Sequence, residues 1–240
     1  MNSKSVIGII GAMDCEIEHL VSCLENKTET EACGYSFYSG VLCGRQVVIL
    51  KCGVGKVNAA RGTQLLIDRF APGVILNTGI AGAVGPDLRV GDAVIANGLV
   101  QHDFDVTAFG CAPGYLCTGA DRDRPTIILP DKTLSDMLTK AAGQILGSAS
   151  VKEGVIATGD MFVADLQKRS YLRAQFNAAA ADMESAAIAQ TASWAAVPFA
   201  ILRVISDNAD GEAAEISDHA EADTARRSAE IIIELLNRLS

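Results

Sequence analysis

The sequence predicts one α/β domain over residues 1–240, with a central mixed, mostly parallel sheet flanked by helices. Three observations predict it. Short apolar runs bounded by glycine alternate with segments of helical periodicity, the order that builds parallel strands joined by crossover helices. The 240 residues are 49% hydrophobic and 20% charged, enough apolar side chain for one sizeable core and too much for disorder. No internal repeat, low-complexity tract or linker divides the chain.

Each element has a local reason. Residues 5–10 (SVIGII) are a nearly continuous apolar run ending in Gly11, which reads as a buried strand. Ile17, Leu20, Val21 and Leu24 give residues 14–24 a helical face. Residues 35–39 and 46–51 read as strands joined through Gly40 and Gly44. Residues 56–70 form a helix with Val57, Ala60, Leu65 and Ile67 expected inside, and 74–78 a strand ending in the loop 79–82 (GIAG). A strand over 92–99 precedes an irregular stretch, 103–129, where Gly, Pro and charge are mixed. Then come a helix (133–145), a strand (152–158), a helix (166–176), a short strand (179–182) and an Ala-rich helix (183–194). A strongly apolar strand (199–205) and a long amphipathic helix (220–239) close the chain, and the early strand pair adds an antiparallel element.

Charge and composition exclude several classes. Twenty Lys+Arg against 29 Asp+Glu give a net charge of −9, and no basic run exceeds a pair such as Arg226-Arg227. Nucleic acid and anionic membrane surfaces would repel such a protein, so neither is expected as a partner. Residues 6–13 are short and are followed at once by Asp14, Glu16 and Glu18, which fits a first strand better than a secretory leader. The uncharged stretches 70–86 and 185–202 are broken by Pro72 and Pro198 and carry polar residues, so neither reads as a membrane span. The seven cysteines are odd in number and contain no C-x-x-C, so neither a disulfide framework nor a zinc site is expected. They read as small buried hydrophobes in a cytoplasmic protein, with Cys15 open to oxidation.

Three acids fall where strands give way to helices: Glu16, Glu184 and Asp207. In open α/β sheets ligands bind beyond the carboxyl ends of the strands, so acids there can converge although far apart in sequence. The plain alternative for each is a helix N-cap or first-turn acid. Arg203 lies inside the same apolar strand as Asp207, and a buried Arg needs an acidic partner. Other chemistries fit worse. The loop 53–56 (GVGK) has neither P-loop nor G-x-G-x-x-G spacing. Glu16-x-x-His19 is half of a carboxylate metal pair without a second copy. His19, His102 and His219 have no metal spacing, and no G-x-S-x-G occurs.

Taken together, a set of short motifs resembles the 5′-methylthioadenosine/S-adenosylhomocysteine nucleosidases of the purine nucleoside phosphorylase/nucleosidase superfamily. They are residues 7–16 (IGIIGAMDCE), 52–60 (CGVGKVNAA), 77–82 (NTGIAG), 90–92 (VGD), 102–109 (HDFDVTAF), 158–162 (TGDMF), 182–187 (DMESAA) and 203–207 (RVISD). The resemblance implies an N-glycosidic hydrolase that releases adenine from 5′-substituted adenine nucleosides, without cofactor or metal, as a homodimer whose partner helps close the 5′ end. It assigns Asp207 as the acid that protonates adenine N7, with Ser206 holding that contact, and Glu16 as the base that activates water. It gives the ribose hydroxyls to Glu184, a packing contact on the ribose to Met183, stacking on the purine to Phe162, and reading of the purine edge to the Val163 backbone. Met13, Ala81, Gly82 and Arg203 complete the substrate-binding set. The plain alternative for Phe162 is a core aromatic.

The resemblance leaves alternatives. A phosphorylase needs Arg and Ser donors for phosphate, and Asn77 and Ile80 stand at those places. A non-catalytic nucleoside-binding module would keep the fold but has no need of all three acids. Other adenine nucleosides, such as 6-amino-6-deoxyfutalosine or deoxyadenosine, fit the same chemistry. Residues 207–223 are acidic and lack an aromatic for an alkylthio group, so a weak preference for small apolar 5′ groups is expected.

Overall fold

The structure is a computed structural model that describes residues 5–119, 121–209 and 218–239. Ten strands and six helices alternate in the order β1 (Ile7–Gly11), α1 (Asp14–Ser22), β2 (Glu25–Ala32), β3 (Tyr35–Leu42), β4 (Arg45–Lys51), α2 (Lys56–Phe70), β5 (Val74–Asn77), β6 (Ile80–Ala83), β7 (Ala93–Gln101), α3 (Lys132–Leu146), β8 (Val151–Thr158), α4 (Leu166–Phe176), β9 (Ala178–Asp182), α5 (Ser185–Trp194), β10 (Phe199–Asp207) and α6 (Asp218–Arg238). One sheet carries them in the order β2-β3-β4-β1-β5-β10-β6-β9-β8-β7, and β7 also pairs with β10. Half of the sheet therefore curls back on itself through β10. That strand bonds β5 with residues 199–201, β7 with 202–204 and β6 with 204–207. The expected α/β class, with a mixed and mostly parallel sheet between helices, is what the chain forms.

Burial explains the order. β1 and β10 are buried along their whole lengths, as continuous apolar runs with helices on both faces must be. One apolar cluster packs α2 and α5 on one face, around Leu66, Ile75, Ile188 and Ile201. The other packs α1, α3 and α6 on the opposite face, around Leu20, Ile49, Leu138, Ile232 and Leu235.

Several local expectations need correction. β2 (ENKTETEA) pairs antiparallel with β3, yet nothing apolar announces it: every residue but Ala32 is exposed. It is an edge strand, and its charges blunt the edge against unwanted pairing. Gly40 lies within β3, and the β3–β4 turn falls at Cys43 and Gly44, both with positive φ. Residues 80–83 form β6 between β10 and β9 rather than a loop. In α2 the buried residues are Ala59, Gly62, Thr63 and Leu66; Ala60, Leu65 and Ile67 flank that stripe and Val57 is exposed. Of the seven cysteines only Cys52 is buried, and Cys23, Cys33 and Cys117 are exposed. Cys33, Cys43 and Cys117 sit at positive φ in turns, which places them at the surface. The described residues of 103–129 are irregular as expected, apart from a 3-10 turn at Thr107–Phe109 and a bridge from Ile128 to Leu99.

Candidate active site

β1, β5, β6 and β10 run parallel, so their C-terminal ends share one side of the sheet. A cleft of about 390 Å³ opens there, a size that suits a small organic ligand. Its walls bring together Met13, Glu16, Ala81, Gly82, Phe162, Met183, Glu184, Ser206 and Asp207, although nearly 200 residues of chain separate the first from the last. Val163 and Arg203 are not among the lining residues. Val163 is buried with Val84, Val100, Leu172 and Phe176, and Arg203 is buried below the floor. Ile80, which stands where a phosphorylase needs a donor, lines the cleft, and so do Ala12, Val54, Ala181, Asp182 and Glu221, which were not singled out as site residues. Asp182 carried a signal, since a buried Arg203 demanded an acid; the small apolar residues carried none.

Glu16 sits in the first turn of α1 and reaches back over the helix start. Its Oε2 accepts the N–H of Ala12 at 2.6 Å and of Met13 at 3.1 Å, and its Oε1 accepts the N–H of Ile80 at 3.0 Å. The helix-start role is therefore real, but the third bond ties the carboxyl to β6. Gly79 makes room for it: a Cβ there would stand 2.2 Å from Glu16 Oε1. Burial pushes the Glu16 pKa above the usual carboxylate range, opposed by Arg203 and by the three N–H donors. Those donors can serve only the acceptor face of the carboxyl, so the ionised form is the one the fold prearranges.

Asp207 ends β10 beside Gly82 of β6, past a register shift at Ile205. Its Oδ1 accepts the N–H of Ala209 at 2.7 Å, and its Oδ2 accepts the Ser206 hydroxyl at 2.8 Å. The Ser206 Oγ also lies 3.4 Å from the Ala81 carbonyl. With its single proton turned to Ala81, Ser206 can accept a bond from a protonated Asp207; turned to Asp207, it serves the carboxylate. A Cβ at Gly82 would crowd Asp207 Oδ1 at 2.8 Å, so glycine is what allows the two strands this close. Glu16 and Asp207 thus meet β6 two to three residues apart, about 7–10 Å of strand rise.

Glu184 precedes α5 but does not cap it. Its Oε1 instead accepts the Gly55 N–H at 2.8 Å, from the loop that opens α2. Burial, then the neighbouring Asp182, push its pKa up to about 7, against the pull of Arg203. At the floor, Asp182 Oδ2 receives Nε and Nη2 of Arg203, each at 2.9 Å, and the Ser185 hydroxyl. Its Oδ1 receives the Thr158 hydroxyl at 2.5 Å. This buried pair neutralises Arg203 directly below the other acids. Asn77 stays out of the cleft, bonding Ile10 O and Ser185 Oγ. Phe162 is 56% exposed on the cleft wall, so it is no core aromatic. The Cys15 thiol beside Glu16 is pushed up to about 11 by burial, Glu16 and Glu221, which keeps it protonated and unreactive. Among the described residues no cluster of His, Cys, Asp or Glu could hold a metal ion, and no helix is long and apolar enough to cross a membrane.

Known proteins share this fold. Residues 6–239 match the phosphorylase superfamily. The chain is 41% identical over 234 residues to the 5′-methylthioadenosine/S-adenosylhomocysteine nucleosidase of Shewanella piezotolerans, covering 97% of this chain and 99% of that one. It superposes with a TM-score of 0.90 and 37% identity on the Neisseria meningitidis nucleosidase of the same name, in complex with methylthio-immucillin-A, over 98% of this chain and 99% of that one. The futalosine hydrolase of Helicobacter pylori superposes with a TM-score of 0.90 and 31% identity, over 99% of this chain and 100% of that one.

Proposed function

The chain belongs to the phosphorylase superfamily and, within it, to the 5′-methylthioadenosine/S-adenosylhomocysteine nucleosidases, which are N-glycosyl hydrolases; from that premise we propose that it releases adenine from 5′-substituted adenine nucleosides by direct attack of water. One observation carries the choice of water over phosphate. Among the described residues, five carboxylates line the cleft (Glu16, Asp182, Glu184, Asp207 and Glu221) and no Lys or Arg does. Such walls favour the positive charge that grows on a ribosyl group as its C–N bond breaks, and they repel a phosphate dianion.

The roles follow from the chemistry each group can do. Asp207 delivers a proton to N7 as the bond to C1′ breaks, so the electron pair leaves on a neutral adenine, and Ser206 swings its own proton to match. Glu16, held as an anion by three N–H donors, takes a proton from water as it attacks C1′. Its pKa, raised by burial, makes it a stronger base than an exposed carboxylate. The spacing along β6 overlaps the roughly 6.5–9.5 Å by which inverting glycosidases separate their two carboxyl groups to admit a water. Glu184 accepts the ribose hydroxyls, Met183 packs on the ribose and Phe162 stacks on the purine. Val163 reads the purine edge only through its backbone, since its side chain is in the core. Arg203 acts beneath the site, through Asp182, rather than on the substrate. No cofactor takes part in this scheme.

The same reading makes the protein a cytoplasmic homodimer acting on a small nucleoside. In support, no disulfide joins the seven cysteines. A groove between α2 and α5 also exposes Val57 at 76% and Trp194 at 73%, apolar surface suited to a second copy. Light scattering of the purified chain should give twice the monomer mass.

Adenine release from methylthioadenosine, measured with and without phosphate, tests the function. Equal rates are expected. An absolute need for phosphate would select the phosphorylase, and tight binding without adenine release would select a binding module.

A further inference from the structure

Four of the five cleft carboxylates are engaged. Glu16 has three backbone N–H donors, Asp182 has Arg203, Glu184 has Gly55, and Asp207 has Ser206 and Ala209. Glu221 is the fifth. It is the fourth residue of α6, half-buried, and it makes no hydrogen bond or ion pair with any described residue. Its charge is felt by the Cys15 thiol of α1, which places it on the α1 side of the cleft. The groups assigned above to the purine, Asp207, Ser206 and Phe162, belong to β10 and to the stretch between β8 and α4. A nucleoside lying with its base there and its anomeric carbon near Glu16 directs its 5′ arm along the remaining α1 and α6 wall.

A partly desolvated carboxylate without a partner is costly, and a cation brought by the ligand relieves that cost. No Lys or Arg among the described lining residues competes for it. We propose that Glu221 is a specificity residue that selects adenine nucleosides whose 5′ arm ends in a cationic amine over those ending in an apolar group. This rests on the hydrolase reading of the same cleft and names the substrate class within it. An ammonium carries three donors and fits a lone carboxylate at the end of a thioalkyl arm. A methylthio group offers Glu221 no donor.

Two probes of equal length isolate the effect: 5′-S-(3-aminopropyl)-5′-thioadenosine, cationic at pH 7, and 5′-S-butyl-5′-thioadenosine, neutral. For the intact protein at low ionic strength, kcat/KM for adenine release should favour the amine by about fivefold to tenfold, mostly through KM. The ratio should fall towards one in Glu221→Gln, be largely retained in Glu221→Asp, and shrink as salt is added. The same ratio in the native protein and Glu221→Gln, with both hydrolysing the butyl probe, overturns the proposal and leaves the hydrolase reading standing. Adenine release from neither probe nor from methylthioadenosine overturns the hydrolase reading instead. Dissociation constants of the two probes, measured by calorimetry, then decide for Glu221: equal values in the native protein reject it.

Discussion

Two polar regions lie on either side of the segment that carries Phe162, and burial acts on them in opposite senses. In the cleft, the acids assigned to the chemistry meet fixed donors, and desolvation raises the proton affinity of Glu16 and Glu184. Behind Gly159, Lys56 Nζ bridges Asp103 at 2.6 Å and Gln101 at 3.1 Å, and Gln101 bonds Gln190 at 2.5 Å. Between Gln101 and Asp103 in sequence stands His102, buried with neither ring nitrogen bonded. Its ring packs so close to Gly159 that a Cβ there would lie 2.4 Å from Nε2. Desolvation, followed by the charge of Lys168, pushes its pKa down to about 4. The same cost of burying charge leaves the Glu184 carboxyl able to exchange a proton near neutrality and leaves an imidazole neutral down to about pH 4. A histidine near a cleft is usually the first suspect for proton transfer; here that role is proposed for the carboxyls, and the histidine is packed without a hydrogen-bond partner among the described residues.

The largest effects that could break this contrast lie in the cleft. Asp207→Asn should lower kcat by about 10²- to 10⁴-fold, the usual worth of a general acid. Its amide oxygen can still accept the Ala209 N–H, so the melting temperature should hardly move. Glu16→Gln should lose turnover to a similar extent and also stability, because an amide NH₂ must face one of the N–H groups that the carboxylate accepted, about 1–3 kcal/mol. Single-turnover assays and urea unfolding separate the two. Near-normal turnover in either variant removes that residue from its role.

At the floor of the cleft, Asp182→Asn should cost about 4 kcal/mol, because it strips the buried Arg203 of its counter-charge. It should also lower the pKa of Glu184, which Asp182 helps to raise. The double variant Asp182→Asn/Arg203→Met should recover part of the stability and bring the Glu184 pKa back up, because it also removes the pull of Arg203. Urea midpoints and a pH titration of the variants follow both. An unchanged midpoint for Asp182→Asn would mean that Glu16 and Glu184 already balance Arg203.

Much of this was legible in the sequence because the signals were strong and local. The apolar runs of β1, β5 and β10 mark buried strands, the bounds of α2 and α4 match their periodicity, and the three acids at strand ends converge. What was not legible depends on neighbours. β2 exists because β3 offers it a ladder, although its own residues are Glu, Lys, Thr and Asn. β6 is four small or branched residues beside a glycine, and only β10 and β9 on its two edges make it a strand. Val57 was read as buried because apolar spacing gives a helix its stripe but not the few tens of degrees of rotation that aim it. Arg203 announced a buried ion pair, but sequence could not say whether its partner lay in the cleft or that the guanidinium itself lay beneath it. Residues 210–217 of the acidic stretch before α6 lie outside the described residues.

The smallest effect sharpens the contrast most, because it reads both regions in one measurement. His102 has an ordinary pKa of 6.5 and a native one of about 4, so between those values the unfolded chain binds the extra proton. Its contribution is complete above pH 6.5 and is lost as pH falls towards 4, about 3 kcal/mol in all. Glu184 runs the other way. Its native pKa of about 7 exceeds the ordinary 4.5, so the native state binds the extra proton, and a comparable contribution present below pH 4.5 is lost as pH rises through 7. Glu16, also raised, has the same sign as Glu184. Asp103, held low by Lys56, acts only at lower pH. Between pH 4.5 and 6.5 the imidazole slope opposes the two carboxyl slopes, so the urea midpoint of the native protein should fall with pH less steeply than the carboxyls alone would make it. His102→Gln should unmask the carboxyl slope, its stability falling as pH rises across that window. Glu184→Gln should tilt the curve the other way. If His102→Gln keeps the native protein's pH profile, the imidazole is not neutral in the fold, and the division between a proton-handling cleft and a proton-free region behind it collapses.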